Sequence, residues 1–171
     1  MEKTKKAIIV FGVFLSVAQI IILWLGIFLF WKILIKGPFN DSVPHEQIFS
    51  YVNANYRQLE DVLYNEILEY SGADKEDFIK QLLGKKTIVK SVEIVNEDIV
   101  DFYCGGSGLS TGATYTGFYY SKNNTPYCMG FEGALTEIDK GVYEWQNKDG
   151  SHRVHTEKIR DYWYYYSYDY Y

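Results

Sequence analysis

Between Ala7 and Trp31 the chain carries no charge, and only Ser16 and Gln19 interrupt its apolar and small side chains. As a helix this stretch is about 37 Å long, enough to cross a hydrocarbon layer of roughly 30 Å with some tilt. Seventeen of its residues are Ile, Leu, Val or Phe, each favouring insertion near the bilayer centre by roughly 0.3–0.6 kcal/mol. A cleaved secretory signal would have an apolar region of only about 7–15 residues ending in small side chains, whereas Trp31-Lys32-Ile33-Leu34-Ile35-Lys36 follows here. The pattern predicts one uncleaved transmembrane helix over residues 7–31, with the lipid bilayer as its partner. Residues 1–6 precede it, and 32–43, rich in turn formers, read as a tether. Lys3, Lys5 and Lys6 lie before the run and Lys32 and Lys36 after it. By the positive-inside rule this predicts a single-pass cell-membrane protein with its N-terminus inside and residues 44–171 outside.

Beyond Pro44, a residue suited to a helix start, Ile48, Val52, Tyr56, Leu59, Leu63 and Ile67 recur at spacings of three and four and predict an amphipathic helix ending before Gly72. A second helix is expected from about Asp74, with Phe78, Ile79, Leu82 and Leu83 apolar and Gly84 placed to stop it. After Gly84 β-branched and aromatic residues alternate with polar ones. Strands are predicted at 87–95, 99–104, 114–121, 127–131, 142–146, 151–159 and 162–168. Short, turn-rich connections such as Asn96-Glu97-Asp98, Lys122-Asn123-Asn124-Thr125-Pro126 and Asn147-Lys148-Asp149-Gly150 make neighbours antiparallel hairpins. The fold class expected is α+β: an N-terminal transmembrane helix, then two helices packed on a largely antiparallel sheet.

Two cysteines, Cys104 and Cys128, enclose 23 residues. If the domain faces an oxidising exterior, a disulfide between them would contribute roughly 3–4 kcal/mol in the chain-entropy model. The loop Cys104-Gly105-Gly106-Ser107-Gly108-Leu109-Ser110-Thr111-Gly112 matches neither a nucleophile elbow nor a phosphate-binding loop, and reads as a flexible connection. His152 and His155 are three apart on a predicted strand and point to opposite faces, and His45 opens the first helix. No catalytic residue, metal site or cofactor is expected from these patterns.

Tyrosine is the compositional outlier: thirteen of seventeen fall between Tyr103 and the C-terminus. Strand alternation places Tyr162, Tyr164, Tyr166 and Tyr168 on one face, and Trp163 and Tyr165 on the other. One set packs against helices, and the other forms a phenol-lined surface suited to sugar rings, peptides or a protein partner. From Gly37 onward there are 12 Lys and Arg against 21 Asp and Glu, a net of −9, which argues against nucleic acid as a partner.

The segments Asp101-Phe102-Tyr103-Cys104-Gly105-Gly106-Ser107-Gly108, Tyr115-Thr116-Gly117-Phe118-Tyr119-Tyr120-Ser121 and Thr156-Glu157-Lys158-Ile159-Arg160-Asp161-Tyr162-Trp163-Tyr164-Tyr165-Tyr166 resemble small uncharacterised membrane-anchored proteins of Gram-positive bacteria. The resemblance implies an N-terminal anchor and an external domain, and carries no activity with it. The expected function is a binding or interaction module for cell-envelope glycan or protein, with Tyr162, Trp163, Tyr164, Tyr166 and Tyr168 as candidate binding residues. The alternatives are an accessory subunit of a membrane complex and, with less support, an extracytoplasmic hydrolase.

Overall fold

Ile48, Val52 and Leu59 are fully buried on a helix running His45–Val62, and Leu63, which caps its end, is nearly so. A stripe at three-and-four spacing buries one side of a helix whatever the rest of the chain does. The computed structural model that places them describes residues 19–28, 41–63, 83–84, 87–109 and 112–171. These belong to two compact units dividing at residue 38.

In the first unit residues 19–28 form a helix, α1, with Ile20, Ile22, Leu23 and Trp24 more than half exposed. Among the described residues no helix is long and apolar enough to cross a membrane, which corrects the expectation of a transmembrane helix over 7–31. The remainder of the expected span, 7–18 and 29–31, lies outside the described residues, as does the tether up to residue 40.

The second unit opens with α2 (His45–Val62), whose first turn closes on the Pro44 carbonyl, the acceptor for the Gln47 and Ile48 amides. Tyr56, expected in the core stripe, instead lies under the Arg160 guanidinium, 3.3 Å from its ring centroid. Much of the second expected helix lies outside the described residues. Its last residue, Leu83, is helical and buried in the same core, and Gly84 follows at φ +77°.

Seven strands form one antiparallel sheet: β1 (Ser91–Ile94), β2 (Ile99–Leu109), β3 (Gly112–Ser121), β4 (Thr136–Asp139), β5 (Val142–Gln146), β6 (His152–Arg160) and β7 (Trp163–Tyr170), in the order β1-β2-β3-β7-β6-β5-β4. The α+β class and the antiparallel sheet match expectation. The hairpins at 96–98 and 147–150 close as predicted, Asn96 Oδ1 accepting from the Asp98 and Ile99 amides, and Asn147 Oδ1 from His152. Residues 127–131 are not a strand, because Met129 and Gly130 take φ of 46° and 83° and the Phe131 amide turns back to the Cys128 carbonyl. They belong to a strap, residues 122–135, linking β3 to β4. The strand at Thr136–Asp139 has no sequence signature because all four residues are exposed and no face is selected. The glycine-rich segment is not a free loop: after a bulge at Tyr103/Gly105, residues 105–109 pair with 112–116 in an extension of the β2–β3 hairpin.

The last strand, β7, sits in the middle, hydrogen-bonded to β3 on one side and β6 on the other. Its alternation is as expected, with Trp163 and Tyr165 facing α2 and Tyr164 and Tyr166 facing the other way. On the helix face Trp163 is fully buried among Phe102, Phe118 and Tyr120, and Phe102 stacks on Phe118 at 4.8 Å. Side chains of this size contribute roughly 1.5–3 kcal/mol each when fully buried, which makes this the main core.

The expected disulfide is corrected. Cys104 and Cys128 are both free. Cys104 packs in the helix-side core, while Cys128, in the strap, lies near Tyr119 and Tyr127 of the opposite face, so the two belong to different sides of the sheet. Burial pushes the Cys128 thiol up to about 11 and raises Cys104 as well. Thiol titration of the unfolded, unreduced chain is expected to count two thiols. A count of zero would reinstate the bridge.

Gly117 of β3 lets Tyr166 of β7 lie across it: an added Cβ would stand 2.5 Å from the Phe102 carbonyl oxygen and 2.7 Å from the Tyr166 ring. Gly117→Ala is expected to lower the unfolding free energy by about 1–3 kcal/mol in urea titrations, the usual cost of overpacking. Gly112→Ala, whose methyl would come no closer than 3.7 Å to the Tyr170 carbonyl, should stay within about 0.5 kcal/mol of the parent.

Candidate functional site

The sheet face turned away from α2 divides into a covered half and an open half. In the covered half the strap lies over Tyr119, Tyr164 and Tyr166, which pack with Tyr127, Met129 and Tyr143. Phenol hydroxyls fasten it. The Tyr127 amide donates to Tyr119 Oη at 2.9 Å, and Tyr164 Oη donates to the Asn124 carbonyl at 2.8 Å. Thr156 Oγ1 gives its proton to the Tyr165 carbonyl at 2.7 Å, so Tyr119 must be the donor in its 2.9 Å bond to Thr156. The result is a directed chain, Tyr127 N–H to Tyr119 O–H to Thr156 O–H to Tyr165 C=O, whose members polarise one another in a dry environment.

Asp101 lies at the edge of this cluster on β2. Its Oδ2 accepts from Tyr166 Oη at 3.3 Å, while Oδ1 is buried with no partner. Burial raises its carboxyl to about 7; the Tyr166 hydrogen bond opposes the shift and Glu93, its cross-strand neighbour on β1, adds to it. Tyr166 and Tyr119 are raised by the same burial, and Tyr164 is pushed up to about 12. These phenols stay neutral donors.

In the open half, rings run across five strands. Tyr103 of β2 is 6.3 Å from Tyr115 of β3, which stacks at 5.8 Å on Tyr168 of β7. Tyr168 is 5.0 Å from Phe131 of the strap, which stacks at 5.1 Å on Trp145 of β5. His152 of β6 stacks on Tyr168 and places Nδ1 2.8 Å from its hydroxyl. Tyr115 and Tyr170 are 42% and 43% exposed and the other rings half-buried. Close backbone approach makes the band possible. Gly106 accommodates the Tyr103 hydroxyl and the Tyr115 ring, and Gly133 the Trp145 indole, each against the position a Cβ would occupy.

Of the five residues singled out from sequence, Trp163, Tyr164 and Tyr166 are buried and serve as packing or as anchors for the strap. Tyr168 lies at the centre of the open band. Tyr162 is 43% exposed in the β6–β7 turn at φ 69°, its amide held by Asn124 Oδ1. Tyr103, Tyr115, Phe131 and Trp145 were not singled out, because they come from four separate segments that only the strand order brings together.

Beside α2 on the other face, Ser167, His155 and Glu144 are cross-strand neighbours in register. His155 Nδ1 is 3.3 Å from Glu144 Oε1, an arrangement reminiscent of a hydrolytic row. It does not assemble a nucleophile: Arg153 takes the same Glu144 oxygen at 2.6 Å, the Ser167 hydroxyl engages Tyr165, and among the described residues no hydrogen bond joins Ser167 to His155. His45 pairs instead with Glu157 at 2.9 Å, clipping the start of α2 to β6. Among the described residues no group of His, Cys, Asp and Glu side chains has the geometry to hold a metal ion.

No family model matches the chain, and neither the curated proteins nor the solved structures contain a match. The site is therefore read from its geometry alone. Tyr119→Phe removes the middle link of the strap's hydrogen-bond chain and leaves the Tyr127 amide unsatisfied. It is expected to destabilise the protein by about 1–3 kcal/mol in chemical denaturation, with Tyr143→Phe, whose hydroxyl is not part of that chain, as the comparison.

Proposed function

We propose that residues 41–171 are a recognition module for cell-envelope glycan, presented on the outer side of the cell, and that the open aromatic band is its contact surface. The observation that carries this reading is the continuity of the band from Tyr103 to Trp145, with Tyr115 and Tyr170 more than 40% exposed. Aromatic rings offer large, rigid contact area at little conformational cost, and a run spanning four inter-strand spacings measures about 19 Å, the scale of an extended chain rather than a single small molecule. His152 and the Tyr103, Tyr115 and Tyr168 hydroxyls supply hydrogen-bonding groups along it. The net charge of −9 beyond Gly37 favours neutral or amino-bearing sugars over phosphate-rich polymers, which it repels.

Sedimentation of the protein with insoluble purified peptidoglycan tests this, with a phosphate-rich wall polymer as the anionic comparison. The double variant Tyr115→Ala, Tyr170→Ala alters only exposed rings and should weaken retention on peptidoglycan about tenfold or more, equivalent to about 1.4 kcal/mol, while unfolding in urea stays close to the parent. Equal retention of parent and variant would reject the glycan reading.

A further inference from the structure

A carboxylate oxygen buried without a hydrogen-bond partner is rare enough in native structures to demand a reason. Asp101 Oδ1 is such an atom. The groups around it come from five elements: Glu93 on β1, Cys104 on β2, its register partner Tyr119 on β3, Tyr166 on β7 and Tyr127 on the strap. Every one of them is neutral or negative. Tyr166 donates to Oδ2 at 3.3 Å, at the long end of the range for a hydroxyl donor, and the Phe102 backbone adds a second, weaker stabilisation of the charged form, while Oδ1 is left without a partner. A carboxylate in this position would be desolvated, opposed by Glu93 and half-satisfied; a neutral carboxyl would have none of the Coulombic penalty.

The strap is the element best placed to relieve that penalty. It is tied down by bonds from the Tyr127 amide to Tyr119, from Tyr164 and the Tyr162 amide to Asn124 and from the Thr125 amide to Ser121 Oγ, by one backbone bond from Lys122 to Asp98 and by the Phe131–Trp145 stack, and it belongs to no strand. Tyr127, one of its anchors, also lines an open hollow of about 420 Å³ with Asn96, Glu97, Asp98, Ile99 and Pro126, so one side of this part of the strap faces open space.

We propose that Asp101 is a proton-operated release for the strap: neutral, it lies at the edge of the strap-covered cluster with Tyr166 bonded to it and Tyr127 nearby, and ionised, it draws water to its unpartnered oxygen and lifts the 124–131 segment from the sheet. The carboxyl value of about 7, against an ordinary 3.8, sets the direction. Because the folded-state value is the higher one, the stabilisation is complete below about pH 4 and is lost as pH rises through 7. The inference is independent of the glycan reading, since it concerns only how the strap is held.

Hydrogen exchange on the full chain, expressed as protection factors so that the intrinsic pH dependence cancels, tests it at the Tyr127 and Phe131 amides. Between pH 5.5 and 8.5 their protection is expected to fall tenfold or more in the parent and by less than threefold in Asp101→Asn, which mimics the neutral acid. A smaller fall in the parent, or a matching fall in the variant, overturns the proposal. Should Asp101→Asn not fold, carbon-detected titration of the parent's Asp101 carboxyl decides: a midpoint between 6 and 8 supports the release, and one outside that range removes it.

Discussion

The structure depends on one strand being buried on both faces and hydrogen-bonded on both edges. β7 joins two meanders, β1-β2-β3 and β4-β5-β6, that would otherwise share no backbone bond. Its alternating aromatics then serve two cores at once: Trp163 and Tyr165 beneath α2, Tyr164 and Tyr166 beneath the strap. A tyrosine is well suited to the second role, because its ring fills a core while its hydroxyl reaches the far side of it. Tyr119 and Tyr164 use that reach to hold strap backbone, and Tyr166 uses it to cross Gly117 and meet Asp101. The density of tyrosine is thus first a structural device.

That division explains why the open band is the part available for function. Rings whose hydroxyls are spent on anchoring are sealed, whereas Tyr103, Tyr115 and Tyr170 lie in the open half, the first two packed against Gly106, and Tyr168 sits at the border with the strap. Phe131 joins the two halves: it belongs to the strap yet stacks on Trp145 and touches Tyr168 and His152 in the band. A movement of the strap would therefore be felt at the band through this ring. The histidines show the same dependence on tertiary placement, since His45 finds Glu157 across 112 residues and His155 finds Glu144 across a strand pair.

Periodicity determined a good deal unaided. The helix stripe through Ile48, Val52 and Leu59, the antiparallel hairpins at 96–98 and 147–150, and the two-sided alternation of β7 all follow from short-range geometry, which is written in consecutive residues. The apolar run from Ala7 to Trp31 is equally plain as composition, but the helix described within it covers only residues 19–28. Other features had no local signal. The fully exposed β4 selects no face, and positive φ at Met129 and Gly130 turns an apolar segment that reads as a strand into a strap. Whether Cys104 and Cys128 meet depends on which side of a sheet each occupies, and the sheet keeps them apart. Which tyrosines are open and which are sealed is decided only by the strap, residues 122–135, lying over part of β7, because burial is set by what covers a face and alternation says only which residues share it.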